Sequence, residues 1–184
     1  AFERAIQLID AAAEQFGALE QPQTAAATQV SKIYALAMLG RYDEAIRHYE
    51  ECASGGYAKD VHFVRSLAAT NLLAERWSAA RTSYERLFGL GKDVRQPDDD
   101  LGYAFALARL GDSGADAAFQ HAVTTGNGPV ARCRDAQYLD EVGRRGEARA
   151  LYEQVVKEGR LAPAHTRDLH KAWYKLAADA LRTP

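Results

Sequence analysis

The strongest constraint in this 184-residue chain is a spacing. A small Ala is followed four residues on by an aromatic, and three further by a small or apolar residue. The pattern occurs four times: Ala45/Tyr49/Cys52, Ala80/Tyr84/Leu87, Ala115/Phe119/Ala122 and Ala148/Tyr152/Val155. The anchoring alanines stand 35, 35 and 33 residues apart. Residues four and seven apart share one face of a helix, so each triplet reads as a stripe on a short helix. The Ala lets a partner helix approach closely, while the aromatic a turn later fills the gap to the next pair. Each pair leaves an apolar flank that only a stacked neighbour can bury.

Composition supports helix throughout. The chain holds 36 Ala and 18 Leu against 9 Val and 4 Ile, so straight-chain helix formers far outnumber β-branched residues. Gly and Pro bunch at intervals, and between them apolar residues return at three and four positions, as in Ile33, Leu36 and Ala37. The punctuation predicts ten helices, near 2–17, 24–39, 43–54, 61–75, 77–89, 98–110, 113–125, 129–142, 145–158 and 164–182. Gly89 is read as a left-handed cap and Gly159 as a helix end. The fold class expected is all-α.

Several function classes lose ground on charge and motif. With 23 Lys+Arg against 25 Asp+Glu, the net charge of −2 gives no basic stripe for nucleic acid or a membrane surface. No apolar run nears the roughly 20 residues that cross a bilayer, so no direct membrane insertion is expected. Two cysteines cannot form a disulfide framework. The chain opens Ala1-Phe2-Glu3 with neither Met nor a leader, so it is expected to be an excised or processed piece. The cytoplasm is favoured as its compartment, with the bacterial periplasm kept open. The excess of Arg (17) over Lys (6) and the Ala content fit a GC-rich bacterial genome.

The spacings that reactions need are missing: no phosphate-cradling Gly loop, no nucleophile elbow, no His-Glu-x-x-His. Asp98-Asp99-Asp100 follows Pro97, where carboxylates cap open N–H groups at a helix start. Cys52 reads as a small core residue. The five histidines lack ligand spacing, and His62 alone draws interest as a binding residue. No catalytic residue, cofactor or metal is expected, and the chain is read as no enzyme.

The trailing-helix signature resembles the tetratricopeptide repeat, a helix-turn-helix unit of about 34 residues. The resemblance covers roughly residues 26–160 in four units. The early Trp of that family is here Gln29, Val64, Asp100 and Arg132; Glu75 stands where the turn Gly belongs; the third unit is one residue short before Ala115. The resemblance implies an alpha-alpha superhelix, or solenoid, as a single repeat domain over 1–184. Residues 1–21 then form an N-terminal half-repeat or cap, 26–60, 61–96, 97–128 and 129–162 the repeats, and 163–184 a C-terminal capping helix. The cap is supported by Ala5/Ile9/Ala12, a loose copy of the signature.

The same resemblance implies that leading helices line a concave groove that binds a peptide or helix of a partner protein. Carried over position by position, it implicates Tyr34, His62, Arg65, Leu72, Leu101, Phe105, Arg109 and Gln137. Tyr34, Leu72, Leu101 and Phe105 would anchor an apolar or mixed segment, and Arg65 and Arg109 would orient it. The clamp by which family members hold a terminal carboxylate is missing, since Val30 and Tyr34 occupy its first Lys and Asn positions. Arg65→Glu is expected to weaken an acidic peptide while leaving melting unchanged. The function expected is a protein–protein interaction scaffold, with a homodimer through the terminal helices as a further partner. The alternatives are a regulatory or docking arm of a larger enzyme or of an envelope or secretion assembly, and a pentatricopeptide-like reader of single-stranded RNA. Asp98, Asp140 and Glu141 on the inner face oppose the last.

Overall fold

The computed structural model describes residues 2–18, 22–126 and 128–182, with side chains except at 13, 16–18 and 22–25. Residues 1, 19–21, 183 and 184 of the terminal cap readings, and residue 127 of the third repeat, lie outside the described set. Among the described residues there are eleven α-helices and no strand: α1 (Phe2–Ala18), α2 (Pro22–Met38), α3 (Tyr42–Ser54), α4 (Val61–Leu73), α5 (Trp77–Gly89), α6 (Pro97–Arg109), α7 (Ala115–Gly126), α8 (Pro129–Glu141), α9 (Arg145–Leu161), α10 (Ala164–Leu169) and α11 (Lys171–Ala180). Short 3-10 turns at Tyr57–Lys59 and Lys92–Val94 precede α4 and α6.

The signature residues behave as their chemistry demands. None of Ala45, Ala80, Ala115 and Ala148 is more than 1% exposed, and none of Tyr49, Tyr84, Phe119 and Tyr152 more than 5%. A methyl group at the helix crossing keeps the axes close, and the ring a turn on closes the space beside it. Cys52 departs from the pattern: it is half-buried, with its sulfur 3.9 Å from His48 Nε2.

Contacts divide the chain into two compact units, Ala1–Leu110 and Gly111–Pro184. In the first, α2 packs on α1, α3 and α4, while α4 packs on α2, α3, α5 and α6. Its interior holds Ile6, Ile33, Leu36, Tyr49 and Phe63, then Val64, Ala68, Tyr84 and Leu87. In the second, α8 packs on α7, α9 and α11 around Cys133, Leu139, Tyr152, Val155 and Ala177.

A second recurrence runs through the turns. Arg41, Arg76 and Arg144 each occupy the residue just before a trailing helix, α3, α5 and α9. Each reaches back to an acid in the first turn of an earlier helix: Arg41 to Glu3 at 3.1 Å, Arg76 to Asp43, and Arg144 to Asp116. Arg41 and Arg144 also fork forward onto Glu44 and Glu147 at 2.6–2.7 Å. Because Glu3 occupies on α1 the place that Asp43 occupies on α3, α1 is built like a trailing helix.

Two boundaries differ from the sequence reading. Gly159 does not end α9, which continues to Leu161. A Cβ at Gly159 would lie 2.7 Å from the Tyr174 ring, so this glycine marks a close approach of α11. The expected closing helix over 164–182 is broken at His170, which ends α10 and starts α11. The break re-aims the chain so that Trp173, Tyr174 and Ala177 meet α8 and α9, and leaves Leu169 77% exposed. Gly89 is likewise no left-handed cap: it stays helical, and Leu90 closes α5 in a right-handed conformation.

Candidate functional site

Seven of the eight implicated residues fall on α2, α4 and α6 of the first unit, with α4 packed between the other two helices. The eighth, Gln137, is half-buried on α8 of the second unit and accepts a hydrogen bond from Arg134 at 3.1 Å.

A concavity lies in the first unit, a cavity of about 590 Å³ lined by Ala26, Ala27 and Val30 of α2, Tyr57, Asp60, and His62 and Phe63 of α4. Its shape follows from local chemistry. Asp60 caps α4, its Oδ1 accepting the N–H groups of His62 at 2.9 Å and Phe63 at 3.2 Å. That bond fixes the first turn of α4 so that Phe63 turns inward, fully buried and stacked on Tyr57 with centroids 4.8 Å apart. His62, one residue earlier, is left exposed at the rim. On α2 small side chains face the opening, which is why a volume remains.

Further along α2 the stripe continues through Tyr34, 57% exposed, and Met38, 46% exposed. On α4 Leu72 is half-buried, while Leu73 is 47% exposed. On α6, Leu101 and Phe105 are half-buried and Arg109 is exposed, one above the other at intervals of four. Tyr34 is the implicated aromatic that packing leaves most available; Leu72, Leu101 and Phe105 are half-buried and do not line the cavity.

Arg65 has a different place from the one expected. Its Nε donates to both oxygens of Asp99, at 3.0 and 3.1 Å, and its Nη2 donates to the Val94 carbonyl. Asp99 is 4% exposed and also accepts the Gln96 N–H at 2.9 Å, capping α6. Capping is therefore only half the account of the acidic run. Asp99 ties α6 to α4 through Arg65, and Asp100, also buried, pairs with Arg95, whose guanidinium lies 3.9 Å over the Phe88 ring. Only Asp98 is exposed.

The arrangement nearest to reactive chemistry is Cys52 beside His48. Burial pushes the Cys52 thiol up and the His48 imidazole down, so both groups favour their neutral forms. His48 Nε2 also contacts Gln29 Oε1 at 2.6 Å, a bond that requires this nitrogen to carry the proton. It then has no lone pair for the thiol. A nucleophilic cysteine needs the reverse polarisation. Among the described residues no group of three or more His, Cys, Asp or Glu side chains could hold a metal ion, and no helix is long and apolar enough to cross a membrane.

No family model matches the chain, and no curated protein matches it in sequence. Solved structures do. A thermophilic TPR protein from Thermus thermophilus is 17% identical and aligns over 99% of this chain and 100% of its own, with a TM-score of 0.66. YrrB, described as a TPR protein with an unusual peptide-binding site, is 16% identical and aligns over 91% of this chain and 92% of its own, with a TM-score of 0.62. The helix pairs, the buried alanine and aromatic positions and these alignments agree: the chain has the tetratricopeptide-repeat fold, an all-α solenoid architecture.

Proposed function

We propose that the chain is a non-catalytic interaction scaffold that holds a peptide or helix of another protein along α2, α4 and α6 of its first unit. The observation that carries this reading is the cavity bounded by Ala27, Val30 and His62, continuous in sequence register with exposed Tyr34 and Met38. At about 590 Å³ it falls inside the range of ligand sites, about 300–1,000 Å³. Apolar walls with a few polar groups at the rim suit side chains of a bound segment, where a small number of anchors carry most of the affinity. The likeness to a structure described as peptide-binding supports the same mode.

Ala27 is exposed, so a large side chain there fills the cavity without crossing the core. A peptide-library screen with the intact chain should select segments that Ala27→Trp binds at least about tenfold more weakly, or 1.4 kcal/mol. The variant's melting temperature should be unchanged. Equal binding by both proteins would remove the cavity from the site, and a screen that selects no peptide would overturn the reading altogether.

A further inference from the structure

The second unit contains a buried carboxyl group that the binding reading does not use. Asp135 is 2% exposed, on the face of α8 turned toward α7, and accepts the Gln120 amide N–H at 3.2 Å. The charged groups around it are Asp116 on α7, with Arg144 and Glu147 at the start of α9. The one cation in that set is already committed. Arg144 forks onto Glu147 through two bonds of 2.7 Å and turns its remaining nitrogen to Asp116. Tyr138, one turn along α8, stacks its ring on Phe119 of α7 at 4.8 Å. An ionised Asp135 would therefore hold a charge in a space water does not reach, with a neutral amide as its donor and the exposed Asp116 adding repulsion.

We propose that Asp135 is a proton-operated latch between α7 and α8: protonated, it keeps its contact with Gln120 without a charge in the interior; ionised, it sets a desolvated charge between the helices and loosens α7. The acid is set among apolar neighbours, with Ala136 and Leu139 buried on the same helix. Desolvation first, and the Asp116 charge second, raise its pKa to about 6.

The direction of the effect follows from linkage. Where the unfolded chain has released this proton and the folded chain has not, stability falls as pH rises. That window runs from the ordinary Asp value of 3.8 to about 6, and above it the loss is complete. The latch is thus tightest below about pH 3.8 and loosens progressively up to about pH 6.

The test is hydrogen exchange on the intact chain, followed over residues 115–141 at pH 5 and pH 7.5 and corrected for intrinsic exchange. In the wild type, opening should increase about tenfold between the two values. In Asp135→Asn, whose amide oxygen still accepts from Gln120, it should stay constant, so the histidines and other carboxylates cancel in the comparison. Equal pH dependence in both proteins would overturn the proposal. So would a carbon-13 titration of the wild-type Asp135 carboxyl with a midpoint in the ordinary Asp range, which needs no variant to fold.

Discussion

Glu75 shows how one residue can sit against its own preference. The turns joining leading to trailing helices need a left-handed residue, supplied by Gly40 at φ +75° and Gly143 at φ +83°. In the second unit that position is Glu75, at φ +57°, the one non-Gly residue with positive φ among those described. A Cβ in this conformation costs about 1–2 kcal/mol. Glycine removes that strain and gives back about 0.4–1 kcal/mol through the freer unfolded chain. Glu75→Gly should therefore stabilise the protein by about 0.5–1 kcal/mol, read as a melting temperature higher by about 1–4 °C. A lower melting temperature would mean that the Glu75 side chain contributes more than its exposed position suggests. The departure from the turn pattern was visible in the sequence, because a repeat shows where a residue fails to match its counterparts.

At the scale of elements, the ion pairs separate into two kinds. The pairs of Arg41, Arg76 and Arg144 lie at the surface, with arginine side chains 36–43% exposed, where solvent screening leaves an ion pair little net strength. Arg65 with Asp99 is of the other kind: 20% and 5% exposed, it bolts α4 to the first turn of α6. Removing one member of a buried pair leaves a charge without water or partner, at a cost of about 3–5 kcal/mol. Arg65→Glu should thus lower the melting temperature markedly, and Arg65→Lys should recover part of the loss. Unchanged melting in Arg65→Glu, the outcome expected from the residues alone, would show that Asp99 finds another cation. The sequence could not reveal this pair. Family position marks Arg65 as groove-lining, but its partner lies 34 residues away, and only the packing of α4 on α6 brings them together. Gly102 hides a similar contact: a Cβ there would run into the Tyr84 hydroxyl, a nearness between α5 and α6 that no local pattern records. Helix existence and most ends were legible because propensity and periodicity are local. The break at His170 and the continuation through Gly159 were not, because both go with the packing of Trp173, Tyr174 and Ala177 on α8 and α9, which no local pattern records.

For the whole molecule, the division at Leu110 makes the binding reading separable from the latch. Tyr34, His62, Arg65, Leu72, Leu101, Phe105 and Arg109, with the cavity beside α2 and α4, all belong to Ala1–Leu110. Solenoids are stabilised by contacts between neighbours, so a run of consecutive helix pairs retains most of its own stability when shortened. The fragment 1–110 has its own interior in the Ile33, Phe63 and Tyr49 cluster and in the Val64, Ala68, Tyr84 and Leu87 cluster. It should melt cooperatively with helical circular dichroism and keep the peptide selectivity of the full chain within about threefold, less than 1 kcal/mol. Its binding should show no dependence on Asp135, which it lacks. A folded fragment that binds nothing the full chain binds would move the recognition surface to residues 111–184, where Gln137 would be its one implicated member. A fragment that fails to fold would show instead that α6 depends on residues beyond 110, and circular dichroism distinguishes these outcomes before any binding is measured.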